Sequence, residues 1–273
     1  MAIQSEQALS PVLYLPHGGG PLPLLGDRQH AKLTAFLKTI HSELGQPKAI
    51  LVISAHWEAN SATLTSASQP ELIYDYYGFP PESYEIQYPV PGEPALAKDI
   101  YQLLRDSGIE ARLDPQRGFD HGLFVPLKLI YPEADIPCVQ LSLLGSLDPA
   151  AHIALGKALT ALRGENVVII GSGLSFHNLR AFFGHSNSKL HEDVQFDQWL
   201  VETCTSESLS TEQRATRLIQ WEQAPFARYC HPREEHLLPL HVCFGAAMSD
   251  TPVAKQVFNE RLMGKRVSGF LWR

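Results

Sequence analysis

A chain of 273 residues with 22 Lys+Arg against 29 Asp+Glu, a formal charge of −7 and no basic run argues against a nucleic acid or an anionic membrane as partner. Its 44% apolar and 19% charged residues are ordinary for a globular enzyme able to bury a sizeable core, and no apolar run reaches membrane-span length. The four cysteines (Cys138, Cys204, Cys230, Cys243) form no CxxC pair, which argues against a thiolate zinc knuckle or a redox dithiol. With no secretory leader at the start, a reducing, cytoplasmic compartment is expected. The compositional oddity is the 12 histidines.

Residues Met1–Ser10 are polar and expected to be frayed. Pro11–Leu15 predicts a short strand that runs into Pro16-His17-Gly18-Gly19-Gly20, where glycines permit close backbone approach to a ligand. Leu33, Phe36, Leu37, Ile40 and Leu44 have helical spacing within Arg28–Leu44, and Gly45 is the expected C-cap. The apolar run Ala49–Ser54 predicts a buried strand ending at Ala55-His56-Trp57, and this β-loop-α-β unit suggests a parallel pairing of the two strands. Glu58–Pro91 is turn-rich and holds Tyr74, Tyr76, Tyr77, Phe79, Tyr84 and Tyr88. Such a segment either walls a pocket or pins an irregular loop to the body.

Pro94–Ser107 predicts a helix closed by Gly108, and Ile109–Leu113 a short strand. Gly118-Phe119-Asp120-His121-Gly122 then precedes the apolar Leu123–Tyr131, so His121 should open a short helix. Pro137–Leu144 and Asn166–Ile170 predict strands on either side of a helix that starts at Asp148-Pro149 and ends near Arg163. The second of these strands leads into Gly171-Ser172-Gly173-Leu174-Ser175-Phe176-His177. Leu190–Thr203 and Thr211–Gln220 predict helices around a polar hinge at Ser206–Ser210. Pro232–Ala247 predicts a helix kinked at an internal Pro239, and Val257–Phe258 and Val267–Trp272 weaker strands. Alternating strands and helices without a linker or repeat predict one α/β domain over 1–273: three layers, with a central mixed, largely parallel sheet and helices on both faces.

A single histidine near a strand end is more often structural than a ligand. His30, His41, His152, His185 and His191 have polar sequence neighbours and read as solvated faces. His17, His56, His121, His177 and His236 form a different group, because strand ends in an open α/β sheet converge on one rim. Imidazoles converging without thiolates suggest one catalytic metal with open positions. Gly171-Ser172-Gly173 lacks the third glycine of a dinucleotide fingerprint, and no Walker A, Gly-x-Ser-x-Gly or His-Glu-x-x-His motif is present. Arg228 with Arg233 is a local positive cluster suited to a small anionic ligand.

Five motifs occur in one order: His17-Gly-Gly-Gly-Pro, Ser54-Ala55-His56-Trp57, Gly118-Phe119-Asp120-His121-Gly122, Ser175-Phe176-His177-Asn178-Leu179-Arg180 and Glu235-His236-Leu237-Leu238-Pro239-Leu240. Together with Gly78-Phe79-Pro80 and Tyr88-Pro89-Val90-Pro91-Gly92, this chain resembles the class III extradiol ring-cleavage dioxygenases from about Leu13 to Ala247. It is most similar to their 4,5-DOPA extradiol dioxygenase branch, and more distantly to the catalytic subunit of protocatechuate 4,5-dioxygenase. The resemblance implies insertion of both atoms of O2 into a catechol-type ring, DOPA-like or otherwise substituted, at a mononuclear non-haem metal.

On the same resemblance His17 and His56 are metal ligands, and His236 stands where the protocatechuate branch has a glutamate. Three neutral ligands then replace a 2-His-1-carboxylate triad; Fe(II) is expected for activity, while Zn(II) also suits three histidines. His177 is implied as the acid/base residue, placed as a fourth neighbour of the metal with contact left open, and His121 as a second pocket histidine that donates to substrate or oxygen. For His121 the other reading is a structural one, orienting its loop through Asp120. Asn178 and Glu235 are candidate orienters and Arg180 a candidate for a substrate carboxylate. The alternatives are a zinc-dependent hydrolase on the same histidines and a non-catalytic metal- or phenol-binding relative. The substrate, the native metal and the oligomeric state stay open.

Overall fold

The computed structural model describes residues 9–183 and 191–273, so the polar start up to residue 8 and the reading of His185 fall outside it. Ten strands are present among those residues: β1 Val12–Pro16, β2 Ala49–Ala59, β3 Ala62–Thr65, β4 Leu72–Ile73, β5 Ala111–Asp114, β6 Phe119–Asp120, β7 Cys138–Leu144, β8 Val167–Gly173, β9 Lys255–Leu262 and β10 Lys265–Trp272. Eight form one mixed sheet in the order β5-β3-β7-β2-β8-β1-β10-β9, and β4 pairs with β6 in a separate ribbon. The β7-β2-β8-β1 centre is parallel, and β3–β7, β1–β10 and β10–β9 are antiparallel. The expected direct pairing of β1 with β2 does not occur, because β8 lies between them and is parallel to both. A strand that arrives over a hundred residues later takes the central position.

The apolar runs account for this centre. Val12–Leu15, Ala49–Ile53 and Val167–Ile170 are all buried, as expected for strands covered on both faces. Side chains of β8 alternate between two helix layers. Ser172 points to the helix His121–Ile130, where its Oγ donates to the carbonyl of Gly122 at 2.5 Å. Gly171 and Gly173 face the other way: a Cβ on Gly171 would meet the Pro239 carbonyl oxygen at 2.7 Å, and one on Gly173 would collide with the carbonyl of His236. Those two glycines therefore serve close packing of the segment that carries His236, which explains a Gly-Ser-Gly that matches no nucleotide motif.

Several boundaries differ from expectation. The run Arg28–Leu44 divides into a 3-10 turn at Arg28–His30 and helices at Ala31–Thr39 and His41–Leu44, closed by Gly45 at φ 72°. The last helix begins at Leu238, so Pro239 occupies its first turn and no kink arises. His236 thus lies in the turn before that helix. β2 runs on to Ala59, and the long segment Glu58–Pro91 contains the end of β2, all of β3 and β4, and a 3-10 turn at Pro81–Tyr84. The hairpin β9–β10 is longer than the patchy apolar pattern implies. No helix among the described residues is long and apolar enough to cross a membrane.

Candidate active site

The five grouped histidines meet at one end of the parallel centre. His17 follows β1 directly, and its backbone N–H donates to the Gly173 carbonyl at 3.1 Å. His56 lies inside β2 at an irregularity: Ile53 pairs with Leu141 but Glu58 with Leu143, so four residues of β2 face one of β7. That bulge re-aims His56. His121 is the first residue of its helix, with Asp120 as N-cap accepting from Gly122 N at 3.0 Å. The His236 carbonyl accepts from Tyr14 Oη and from Leu174 N, each at 3.0 Å, which fixes the backbone of the turn. The His177 N–H donates to the Cys230 carbonyl at 3.0 Å.

Hydrogen bonds behind the rings set which nitrogen faces inward. The Ser172 hydroxyl is committed to Gly122, so its oxygen accepts from His17 Nδ1 at 3.1 Å. His236 Nδ1 donates to Glu235 Oε1 at 2.8 Å. Nε2 then carries the lone pair in both. His17 Nε2 and His56 Nε2 stand 3.1 Å apart, and His236 Nε2 is buried with no hydrogen-bond partner. One ligand atom from each of His17, His56 and His236 lies within 4.8 Å of the others. Burial, reinforced by neighbouring imidazoles, pushes all three well below the ordinary histidine value, so they are neutral at neutral pH, the form in which an imidazole can bind a metal. Facing lone pairs around an orphaned buried nitrogen fit a divalent cation.

Two carboxylates brace the remaining rings. Glu235 Oε1 also accepts from His177 Nδ1 at 3.1 Å, and the His177 and His236 rings stack at 3.4 Å between centroids and 17°. Burial opposes the charge of Glu235, yet the bond from His177 holds its carboxyl below the usual value. Asp75 Oδ1 accepts from both the Nδ1 (2.8 Å) and the backbone N (3.0 Å) of His121, and Asp75 Oδ2 lies 3.8 Å from His56 Nδ1. Sequence reading missed Asp75, whose only signal was its place among the aromatics. Asp120, the carboxylate expected at His121, instead takes the Ser54 hydroxyl at 2.7 Å and pairs with Arg117 at 3.2 Å.

The other expectations divide. Asn178 Nδ2 donates to the Tyr229 carbonyl and its Oδ1 accepts from Ala181 N, so it shapes its own turn and braces none of the five rings. Arg233 is engaged by both oxygens of Glu58, and Arg228 by Glu222 and Glu234, so the positive cluster is already paired. His30 and His152 are not solvated. His30 is fully buried and accepts from Gly19 N at 3.0 Å, steadying the glycine loop after His17; His152 accepts from Leu144 N at 3.1 Å. Their polar sequence neighbours are not their neighbours in space. His41 and His191 are exposed as expected. Beside the rings lies a cavity of about 460 Å³, lined among others by His177, Arg180, Arg233 and Glu235.

Residues 11–271 match the family model of the catalytic LigB subunit of aromatic ring-opening dioxygenase. The chain belongs to this family. It is 39% identical to the dioxygenase tasH of Hapsidospora irregularis, over 98% of this chain and 87% of that one. It is 39% identical to the 4,5-DOPA dioxygenase extradiol of Beta vulgaris (89% of each chain) and 34% identical to that of Escherichia coli K12 (89% and 87%). A crystal structure of an uncharacterized protein from Escherichia coli K12 superposes with a TM-score of 0.76 at 29% identity, over 96% of this chain and 99% of that one. This extradiol ring-cleavage dioxygenase therefore carries its histidine cluster on the family's fold.

Proposed function

We propose that this dioxygenase opens a catechol-type ring beside its diol, inserting both atoms of O2, with one divalent ion held by His17, His56 and His236. The observation that carries the reading is the set of three neutral imidazoles whose Nε2 atoms converge while His236 Nε2 lacks any partner. The bound ion supplies Lewis acidity to the catechol oxygens and, as Fe(II), the redox step that dioxygen requires; Zn(II) suits three histidines but supplies only the first.

The chain's own groups do the proton work. His177 donates its Nδ1 proton to Glu235, which leaves Nε2 to take a catechol hydroxyl proton and return it to the opened product. His121, with His56 at 3.8 Å between ring centroids, closes the other side of the site. Tyr76 packs edge-on to His121 at 5.7 Å and excludes water from that side. The cavity beside His177 admits a ring substituent, and Arg180 on its wall suits an acidic one. That fits DOPA-like catechols, the substrate named for several relatives.

The test is anaerobic loading with Fe(II), then air and a panel of catechols, with oxygen uptake and a yellow ring-opened product as readouts. His177→Ala should abolish turnover while retaining bound metal. Zinc-loaded protein should consume no oxygen. Absence of oxygen uptake with every catechol, or oxygen-independent ester hydrolysis by the zinc form, would overturn the reading.

A further inference from the structure

Asp75 has the geometry of a working part of the site. It follows β4, and His121 follows β6. These two-residue strands pair in parallel, Leu72 with Phe119 and Ile73 with Asp120, so their C-terminal ends lie side by side. The ribbon thereby brings together two residues 46 apart in sequence. A Cβ on Gly118 would collide with the Glu71 carbonyl, so the approach of the two segments depends on that glycine.

One oxygen of Asp75 makes both contacts to His121. Oδ1 takes the backbone N–H, a donor left unpaired by the helix itself because it belongs to the first turn. It also takes the ring Nδ1–H at 2.8 Å. The backbone bond fixes where the ring starts and the ring bond fixes how it turns. A carboxylate at a helix N-terminus is favoured by the helix dipole as well. The loop holding Asp75 is itself anchored, since Tyr74 Oη donates to the Ile86 carbonyl at 2.6 Å and Tyr76 Oη to the Ser83 carbonyl at 2.5 Å. These are the aromatics that read equally well as pocket wall or as loop pins. Their hydroxyls pin the loop and so hold Asp75 in place, while the Tyr76 ring also packs on His121.

We propose that Asp75 is a positioning residue for ring cleavage: it holds His121 in the Nδ1–H tautomer, so that Nε2 faces the site as a hydrogen-bond acceptor. A neutral imidazole has one donor and one acceptor nitrogen, and a carboxylate at Nδ1 assigns them. This reverses the donor role expected for His121 from sequence. The substrate group that meets Nε2 is then one with a proton to give, such as a catechol hydroxyl, rather than a bare oxygen anion. The inference rests on the ring-cleavage reading for its chemical meaning, but the tautomer is measurable without turnover.

The experiment compares wild type, Asp75→Ala and Asp75→Asn as zinc-loaded proteins by long-range 1H–15N correlation of the histidine rings, with His121 assigned from a His121→Gln variant. Wild type should show His121 protonated at Nδ1. In Asp75→Ala the ring should lose that single tautomer and show exchange between the two. The iron-loaded variant should keep its metal content and lose about 10–100-fold in kcat, with KM changed much less, as expected for loss of an orienting partner. Asp75→Asn is nearly isosteric and keeps an accepting oxygen, so it should hold the tautomer and fall between wild type and alanine in kcat; Asp75→Leu, close in size with no acceptor, takes the alanine readouts should that variant not fold. An unchanged Nδ1–H tautomer in the variants that lack an acceptor, Asp75→Ala and Asp75→Leu, would overturn the proposal. So would a shifted tautomer with kcat within about twofold of wild type. Absence of turnover in wild type would count against the ring-cleavage reading and leave the tautomer assignment decided by the spectra.

Discussion

The two sides of the active site are braced by the same chemistry and built in opposite ways. On one side Glu235 is adjacent in sequence to His236, and one of its oxygens serves both that ring and His177. On the other side Asp75 reaches His121 only because β4 and β6 pair in parallel. The first brace is local and follows from a single turn anchored by Tyr14 and Leu174. The second is tertiary and needs the ribbon, the aromatic pins and a glycine at a tight crossing. A local brace survives almost any error in the rest of the fold, whereas a tertiary one reports on that fold.

The largest effect should come from the donor set that both sides serve. His236→Ala removes a fully buried inward nitrogen that has no hydrogen-bond partner, and it should take bound metal and oxygen uptake to background, read by metal analysis and an oxygen electrode. Loss of metal from His236→Ala with turnover intact would break the assignment of the local side.

Acid should then act through the buried histidines, those outside the site included. His231 and His241 are fully buried with no carboxylate on either ring, and burial pushes them down to about 3 and about 4. Their unfolded forms take a proton below about pH 6.5, which the folded forms refuse until near those lower values. Stability is therefore complete above about pH 6.5 and declines as the pH falls toward 4, by up to about 1.4 kcal/mol per pH unit for each group. Urea midpoints at pH 7 and pH 5 check this, and a flat profile in that window would contradict it.

Glu235→Gln keeps the size of the local brace and removes its charge. A loss of about 10–100-fold in metal affinity or kcat is expected, since both His177 and His236 lose a charged acceptor. The smallest effects test the pins of the tertiary side. Tyr76→Phe deletes the hydroxyl held by Ser83 and should cost about 0.5–1.5 kcal/mol in denaturant unfolding. Tyr77, 91% exposed, is the control: Tyr77→Ser should stay within about 0.5 kcal/mol.

The same contrast explains what was legible in the chain. His17, His56 and His177 stand out because each ends an apolar run, and a buried strand has few places to deliver a polar group. Glu235 was within reach for the same local reason. Asp75 was not, because nothing in Tyr74-Asp75-Tyr76 announces a two-residue parallel ribbon with a partner 46 residues on. The order of the sheet failed similarly: β1 and β2 flank β8, and strand patterns carry burial but not neighbours. Pro239 was read as a kink although proline suits a first turn, and only the start of the helix at Leu238 decides between the two. His30 and His152 show the converse error, with polar sequence surroundings and fully buried rings.

The 3.1 Å approach of His17 Nε2 to His56 Nε2 has a consequence for folding as well as for chemistry. With the His17 Nε2 lone pair facing inward, a neutral His56 can donate its Nε2–H across this gap, so the two rings can hydrogen-bond to each other. On the proposed assignment, an ion there replaces that single contact with a tether among three segments: the end of the first strand, the bulge of the second and the turn before the last helix. Unfolding must release it, so saturating metal at a hundredfold excess over its dissociation constant should add about 2.7 kcal/mol to global stability. The midpoint of thermal unfolding becomes a titration curve for the metal, readable with any divalent ion that binds, whether or not it supports turnover.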